Sequence, residues 1–359
     1  MQTKFTRFLL DKSNKCEACS VADFDNDGKL EILCGEYLYY GDNFSQKRKV
    51  CEINYDGNYV WDFSDYPMDI NGDGLPDIVT GSWWDDGLYW RENSGGEGLW
   101  KSHKIGDTSN VETIRFYDID GDGIPEIFAN TPNEPQSIFK LVTDESGKGT
   151  GKFEKYIISA DISGHGLGFG DINGDGKTDV LLWNGWLEQP EDIYAGVWEF
   201  HPYGFEVPMA CVPILCEDIN GDGLNDIIIG AGHNFGLWWY EQVLTDGVRS
   251  FVKHDIDLEN SQYHDMQLYD IDGDGKLELI TGARHFAHNG NDPGELNPFG
   301  FYIFDIENGE FKKNTLNFGK PEDTSGTGIY FWLEDLTGNG LKDIVAPGKE
   351  GLYIFYNER

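Results

Sequence analysis

The sequence predicts an all-β protein, a seven-bladed β-propeller built from four-stranded antiparallel blades. A nine-residue acidic loop recurs seven times; the first two copies begin at Asp23 and Asp69, 46 residues apart, and the last two at Asp270 and Asp335, 65 apart. A period of this size is typical of propeller blades. Each loop runs into a short apolar strand, and no long segment has helical periodicity. The alternative is a β-solenoid, whose repeats are usually shorter.

The acidic loop has the composition of a calcium site. Positions 1, 3, 5 and 9 carry oxygen-bearing side chains, which Ca²⁺ prefers, and glycine at position 6 allows the turn. An EF-hand is excluded because position 12 never carries the glutamate that such a loop needs. Turns of the Asp-Gly type without any metal remain the alternative. The predicted calcium ligands are Asp23, Asp25, Asp27, Glu31, Asp69, Asn71, Asp73, Asp77, Asp118, Asp120, Asp122, Glu126, Asp171, Asn173, Asp175, Asp179, Asp218, Asn220, Asp222, Asp226, Asp270, Asp272, Asp274 and Glu278.

The seventh loop, which starts at Asp335, differs from the other six. It has Thr337 and Asn339 where the other copies have an acid or asparagine at position 3 and an acid at position 5. We therefore expect it to bind calcium weakly or not at all.

The ends of the chain predict how the ring closes. The last repeat ends on its third strand, Gly351 to Tyr356, and an unassigned strand, Phe5 to Leu10, stands near the N-terminus. Pairing these two strands would complete the seventh blade and remove two exposed sheet edges. We accordingly predict one propeller domain over residues 1–359.

Composition limits the partners. The formal net charge is −37, from 64 acidic and 27 basic side chains, so we expect neither nucleic acid nor a membrane surface as partner. No segment resembles a signal peptide or a membrane span, and we expect a cytoplasmic protein. The six cysteines lack the density of a secreted disulfide scaffold, so we expect reduced thiols. The oligomeric state is left open.

The acidic loop followed by a strand resembles the FG-GAP or VCBS repeat family over the whole chain. The resemblance implies a seven-bladed propeller with a calcium loop between the first two strands of each blade. That family includes adhesion proteins, lectins and enzymes, so the fold alone does not define a function.

Histidines recur at matched positions of the repeats. His165 and His264 each lie six residues before the first acid of a loop, and His233 and His285 each lie seven residues after a ninth position. His288 lies in an insertion of the sixth blade. In the propeller that the resemblance implies, these positions share the face opposite to calcium, so imidazoles of three consecutive blades should meet there. Any one of them alone would be interpreted as hydrogen bonded to loop backbone.

Some segments resemble a narrower group, bacterial proteins similar to the propeller domain of the fungal aldos-2-ulose dehydratases. They include Ser163-Gly-His165, Gly232-His-Asn234 and Gly282-Ala-Arg284. The resemblance implies a metal-containing enzyme that eliminates water from ketosugars, although the cupin domains of the fungal enzymes have no counterpart here.

We therefore predict a carbohydrate-active lyase or dehydratase acting by β-elimination on a ketosugar or keto-glycoside. A histidine would remove a proton next to a carbonyl group, while a metal or Arg284 stabilises the enolate. The expected cofactors are structural calcium and zinc, manganese or magnesium at the histidines. The candidates are His165, His264, Arg284 and Glu112 for catalysis, Trp84, Trp183, Trp186 and Asp292 for substrate binding, and His233, His288 and His285 for a transition metal.

A non-catalytic module is the alternative function. Tryptophans on adjacent blades could be stacking platforms of a lectin, or the propeller could be a scaffold for protein interactions. Packing between blades is the structural interpretation of the same tryptophans.

Overall fold

The computed structural model describes residues 4–358, and its strands form the seven four-stranded blades of the predicted propeller. The predicted fold class is confirmed. In chain order the strands are β1 (Phe5–Asp11), β2 (Ser20–Ala22), β3 (Glu31–Cys34), β4 (Tyr37–Tyr40), β5 (Gln46–Lys49), β6 (Tyr55–Asp56), β7 (Tyr59–Val60), β8 (Tyr66–Met68), β9 (Asp77–Thr80), β10 (Gly87–Glu92), β11 (Lys101–Asp107), β12 (Thr113–Tyr117), β13 (Glu126–Asn130), β14 (Pro135–Thr143), β15 (Gly149–Ile162), β16 (Leu167–Gly170), β17 (Asp179–Leu182), β18 (Gly185–Glu188), β19 (Glu199–Pro202), β20 (Leu215–Glu217), β21 (Asp226–Gly230), β22 (Phe235–Thr245), β23 (Val248–Ser261), β24 (Tyr263–Tyr269), β25 (Glu278–Ala283), β26 (Phe299–Glu307), β27 (Glu310–Gly319), β28 (Trp332–Glu334), β29 (Asp343–Ala346) and β30 (Leu352–Asn357).

Six blades use consecutive strands: β2 to β5, β8 to β11, β12 to β15, β16 to β19, β20 to β23, and β24 to β27. The seventh has the order β1-β30-β29-β28, and β6 and β7 form a separate hairpin. Strand β1 is antiparallel to β30, with Phe5 opposite Asn357 and Leu9 opposite Tyr353. The predicted closure is therefore confirmed. A short 3-10 helix spans Asp42–Phe44.

The described residues divide into two compact units. The first consists of residues 4–114, 139–155 and 327–358, and the second of Arg115–Ile138 and Tyr156–Gly326. Blades one, two and seven lie in the first unit, and blades four, five and six lie in the second. The prediction of a single domain stays a prediction. None of the helices in residues 4–358 has the length and apolar character needed to cross a membrane.

Close packing between blades four and five depends on a glycine. Gly168 of β16 forms a parallel bridge with Ile214. A Cβ atom at Gly168 would lie 2.0 Å from the backbone oxygen of Ile214, and backbone cannot move aside as a flexible side chain can. Any larger residue here would force the two blades apart locally.

The outer strands of three blades share a Trp–His–Glu arrangement. The ring of His103 stacks on Trp90, that of His201 on Trp186, and that of His254 on Trp239, with centroids 4.4 to 5.0 Å apart. Each imidazole also contacts a glutamate, Glu92, Glu188 or Glu241, at 2.7 to 2.8 Å. The histidines of these outer strands therefore have structural contacts.

All six cysteines lie in the described part of the chain and carry free thiols. Five are buried, and Cys216 is partly exposed. Burial raises the pKa of Cys51 and of Cys211 to about 12, so these thiols stay protonated near neutral pH.

Candidate functional site

Three consecutive blades of the second unit bring histidines together. His165 lies just before β16, His233 in the turn between β21 and β22, and His264 near the start of β24. Their ring centroids are 5.0 to 5.6 Å apart, and the rings are nearly perpendicular to one another. All three are buried, with exposures of 5%, 6% and 0%. The convergence that the repeat alignment predicts is present for these three residues.

A backbone segment between blades four and five holds the three histidines in place. The N–H group of Ala210 donates to the carbonyl of His165, that of Val212 donates to the carbonyl of His264, and that of Gly232, next to His233, donates to Met209. Sequence reasoning missed this segment because its contacts are made by backbone, which leaves no signal in residue type.

The ring nitrogens of His165 and His233 have fixed roles. Nδ1–H of His165 donates to the carbonyl of Ala210 at 2.7 Å, and Nδ1–H of His233 donates to Oδ2 of Asp292 at 2.9 Å. Since a carbonyl and an ionised carboxylate can only accept, each Nδ1 carries a proton, and in the neutral imidazoles each Nε2 keeps its lone pair. The two Nε2 atoms lie 3.2 Å apart. Two facing lone pairs at this distance repel each other unless a proton or a cation lies between them.

The three histidines can direct ligand atoms toward one point. One ring nitrogen from each lies within 4.8 Å of the corresponding nitrogens of the other two, in the set His165, His233 and His264. Tetrahedral zinc with Zn–N bonds of about 2.0 to 2.1 Å requires nitrogens roughly 3.3 Å apart. The Nε2 atoms of His165 and His233, which are 3.2 Å apart, meet this requirement. Three imidazoles suit zinc better than magnesium, which prefers oxygen ligands.

Asp292 and His288 form a layer beside His233. The ring of His288 stacks on that of His233 with a centroid distance of 4.3 Å and an angle of 4°. Both imidazoles contact the carboxylate of Asp292 at 2.9 Å. Burial raises the pKa of Asp292, but hydrogen bonds and charge from the two histidines lower it more, so the net shift is downward. The side chain of His288 is 38% exposed and leads from the buried histidines to solvent.

A buried ion pair lies next to His264 and was not predicted. Arg115 donates to Oδ1 of Asp265 at 2.7 Å and also to the carbonyl of Val212. Both charged side chains are almost fully buried. Because Val212 in turn donates to the carbonyl of His264, the pair anchors this part of the site. A charged residue within the otherwise apolar start of β12 was the available signal.

Three further predicted catalytic and metal residues have the following surroundings. The ring of His285 stacks on Phe299 at 4.6 Å, with the planes 1° apart. Arg284 is 1% exposed, and its N–H group donates to the carbonyl of Gln262. Glu112 is buried and belongs to the first unit.

The predicted tryptophans differ in their surroundings. Trp186 is 5% exposed and packs between His201 and Tyr203, which leaves little surface for a ligand. Trp84, in the first unit, stacks on Trp61. Trp183 is half-buried, and its indole lies against Gly164, next to His165. Trp183 is the predicted platform that the structure brings near the histidines.

The acidic loops share one geometry in all seven repeats. The carboxylate at position 1 accepts from the N–H of the position-6 glycine, as Asp23 does from Gly28 at 2.9 Å. The acid at position 9 accepts from the N–H of position 2, as Glu31 does from Phe24 at 2.8 Å. Each loop is therefore a closed turn that directs carboxylates inward.

The acids of the loops come close to one another. In the first, third and sixth loops, three or four carboxylates lie within 4.8 Å. Burial is the largest cause that raises the pKa of Glu31, Asp77 and Glu278 to about 7, and of Asp179 and Asp226 to about 6. Such spacing and oxygen ligands fit a calcium ion, and calcium at these loops stays a prediction.

Two segments, residues 69–129 and 218–281, match the FG-GAP-like repeat family. None of the curated proteins matches the sequence. The chain is similar to BBS1N in crystals of its complex with ARL6DN, soaked with mercury (TM-score 0.53, 10% identity, 100% of this chain and 98% of that one) or with lead (0.50, 12%, 97% and 94%). It also matches the Tc holotoxin pore of Photorhabdus luminescens (0.39, 16%, 89% and 15%). At these identities the similarity to BBS1N concerns the fold alone, and the FG-GAP-like repeats are shown for the two matched segments.

Proposed function

We propose that this protein is a zinc-dependent carbon–oxygen lyase that acts on a ketosugar or keto-glycoside by β-elimination. The observation that carries the proposal is the group formed by His165, His233 and His264, in which two Nε2 lone pairs face each other at 3.2 Å. Without a shared proton or a cation between them these two nitrogens repel each other, and metal binding would remove that repulsion.

These three histidines would hold the metal, and the carboxylate of Asp292 would orient His233, as carboxylates commonly do for zinc-bound histidines. When bound, zinc would polarise the carbonyl oxygen of the substrate and so acidify the hydrogen on the neighbouring carbon. Manganese and magnesium fit this set of nitrogen ligands less well.

His288 has the position of a proton carrier. Its Nδ1 contacts Asp292, which favours the tautomer with a basic Nε2, and its side chain is partly exposed. Nε2 would take the proton from the carbon next to the carbonyl. The electron pair of that C–H bond would form the C=C bond as the C–O bond breaks, and the proton would return to the departing oxygen, giving an enone and water or an alcohol.

A turnover assay tests the proposal. The zinc-loaded protein is incubated with 1,5-anhydrofructose, glucosone and 3-ketoglycosides, and enone absorbance is followed. We expect turnover of at least one compound, its loss in His233→Ala, and its retention in His254→Ala, a matched histidine on an outer strand. Absence of turnover with every ketosugar would exclude the lyase. Sugar binding that survives His233→Ala but not Trp183→Ala would favour the lectin.

We further propose that six of the seven acidic loops hold structural calcium. The support is the inward orientation of their carboxylates and the proximity of the acids in three loops. The loop that begins at Asp335 lacks acids at positions 3 and 5 and is the exception.

A further inference from the structure

The insertion between β25 and β26 contains a buried glutamate with an unusual environment. Glu295 is 3% exposed. Its Oε1 accepts from the backbone N–H of His288, and its Oε2 accepts from the backbone N–H of Asp292 at 3.0 Å. Both oxygens of one carboxylate are thus used to hold the two residues of the loop that contact His233.

The backbone of the loop is strained at two positions. Phe286 and Asn289 have positive φ angles of 56° and 58°, which non-glycine residues adopt at an energetic cost. A cavity of about 240 Å³ lies against the loop and is lined by Glu295, Gln262 and other residues. The two hydrogen bonds of Glu295 therefore act on a strained loop that borders a cavity.

The contacts form a chain from the loop to the buried histidines. Glu295 fixes the backbone of Asp292, the carboxylate of Asp292 accepts from Nδ1–H of His233, and Nε2 of His233 faces His165. The same two carboxylates also hold His288: Glu295 accepts from its backbone N–H, and Asp292 contacts its Nδ1. A displacement of the Asp292 backbone would turn the imidazole of His233 or leave its Nδ1–H without this acceptor.

We propose that Glu295 is a positioning residue, which sets the orientation of His233 and His288 by holding the loop backbone. The expected effect on zinc affinity rests on the proposed function, whereas the effect on the conformation of the loop does not depend on it. Outer partners of metal-bound histidines typically change metal affinity by 10- to 100-fold.

The test uses the full-length protein with Glu295→Gln, which keeps the shape of the side chain but replaces one acceptor oxygen by an NH₂ group. Glu295→Asp, which retains the charge but is too short to reach both N–H groups, is the second variant in case the first does not fold. Glu310→Gln, an exposed glutamate on β27 of the same blade, is the control. Amide hydrogen exchange and zinc affinity are measured for all of them.

We expect hydrogen exchange in residues 285–297 to be at least about tenfold faster in the Glu295 variants, and zinc affinity to be lower by about 10- to 100-fold. The control should match the wild type in both. Unchanged exchange, or faster exchange with unchanged zinc affinity, would overturn the inference. A wild-type protein that binds no zinc would instead contradict the proposed function, and the exchange rates would then decide the loop-holding role by themselves.

Discussion

At the scale of single residues, the carboxylate of Asp292 decides which nitrogen of His233 is free to bind. Replacing Asp292 by Asn keeps the size of the side chain but removes the charge that favours Nδ1–H as donor. We expect zinc affinity to fall by about 10- to 100-fold, less than in His233→Ala, which removes a ligand. Calorimetric zinc titration measures this, with Asp246→Asn in an exposed turn as the control. Equal affinities of Asp292→Asn and wild type would contradict the assigned tautomer.

Asp257 is a second residue whose charge is fixed by its neighbours. Burial raises its pKa, but hydrogen bonds from Lys313, Tyr263 and Asn260 lower it more, so the net shift is downward. A lowered pKa contributes stability above the unfolded value of about 3.9, and this contribution is lost as the pH falls through the folded pKa.

Lys313→Met should therefore lower the free energy of unfolding by about 1–3 kcal/mol near pH 7. The difference from wild type should begin to shrink as the pH falls below about 4 and should disappear only below the lowered pKa of Asp257, where this carboxyl group is protonated in both proteins. Urea unfolding between pH 3 and pH 7 measures it, with Lys312→Met, 80% exposed on the same strand, as the control. A difference that is constant with pH would contradict this account.

The residue types were sufficient to predict only part of the site. The matched repeat positions of His165, His233 and His264 were sufficient to predict that they meet. The contacts of Ala210 and Val212 were not predictable, because backbone groups make them and any residue supplies a backbone. Glu295 gave no signal either, since its role depends on a loop conformation with positive φ angles.

At the scale of elements, the spacing of the blades is set where strands approach most closely. Gly168→Ala should destabilise the protein by about 1–3 kcal/mol or more, because its Cβ would overlap the backbone oxygen of Ile214. Gly98→Ala, where a Cβ meets nothing within 4 Å, should change stability little. Chemical unfolding of both variants compares them. Equal stabilities would mean that the two blades can separate at low cost.

Strand periodicity predicted the elements better than their ends. The fourth strand of the fifth blade extends from Val248 to Ser261. Its long hairpin with β22 continues beyond the apolar residues, because backbone pairing needs no apolar side chain there. The hairpin of β6 and β7 was not predicted, since two residues per strand leave no periodic pattern.

At the scale of the whole molecule, calcium removal should reveal how far the loops support the fold. Each bound ion stabilises by RT ln(1 + [L]/Kd), about 2.7 kcal/mol at a hundredfold excess over Kd. We expect EDTA to lower the Tm, and EDTA already saturated with calcium to leave it unchanged. Differential scanning calorimetry measures both. An identical Tm in the two conditions would mean that the loops are turns without a metal.

The seven-bladed architecture was predictable because one motif recurs seven times. An error in assigning the strands of any one blade therefore did not change the predicted number of blades. The division into two compact units had no counterpart in the sequence, because the repeats continue across it without a change in composition.

The pairing of β1 with β30 also sets an order of events during synthesis. The segment from Phe5 to Asp11 is synthesised well before its partner, Leu352–Asn357, because all the other strands of the propeller lie between them in the chain. Until then the early strand has an unpaired edge, and Phe8 and Leu9 stay 42% exposed even after pairing. Because such a long-range contact closes slowly, β1 is the propeller strand that needs protection from aggregation for the longest time.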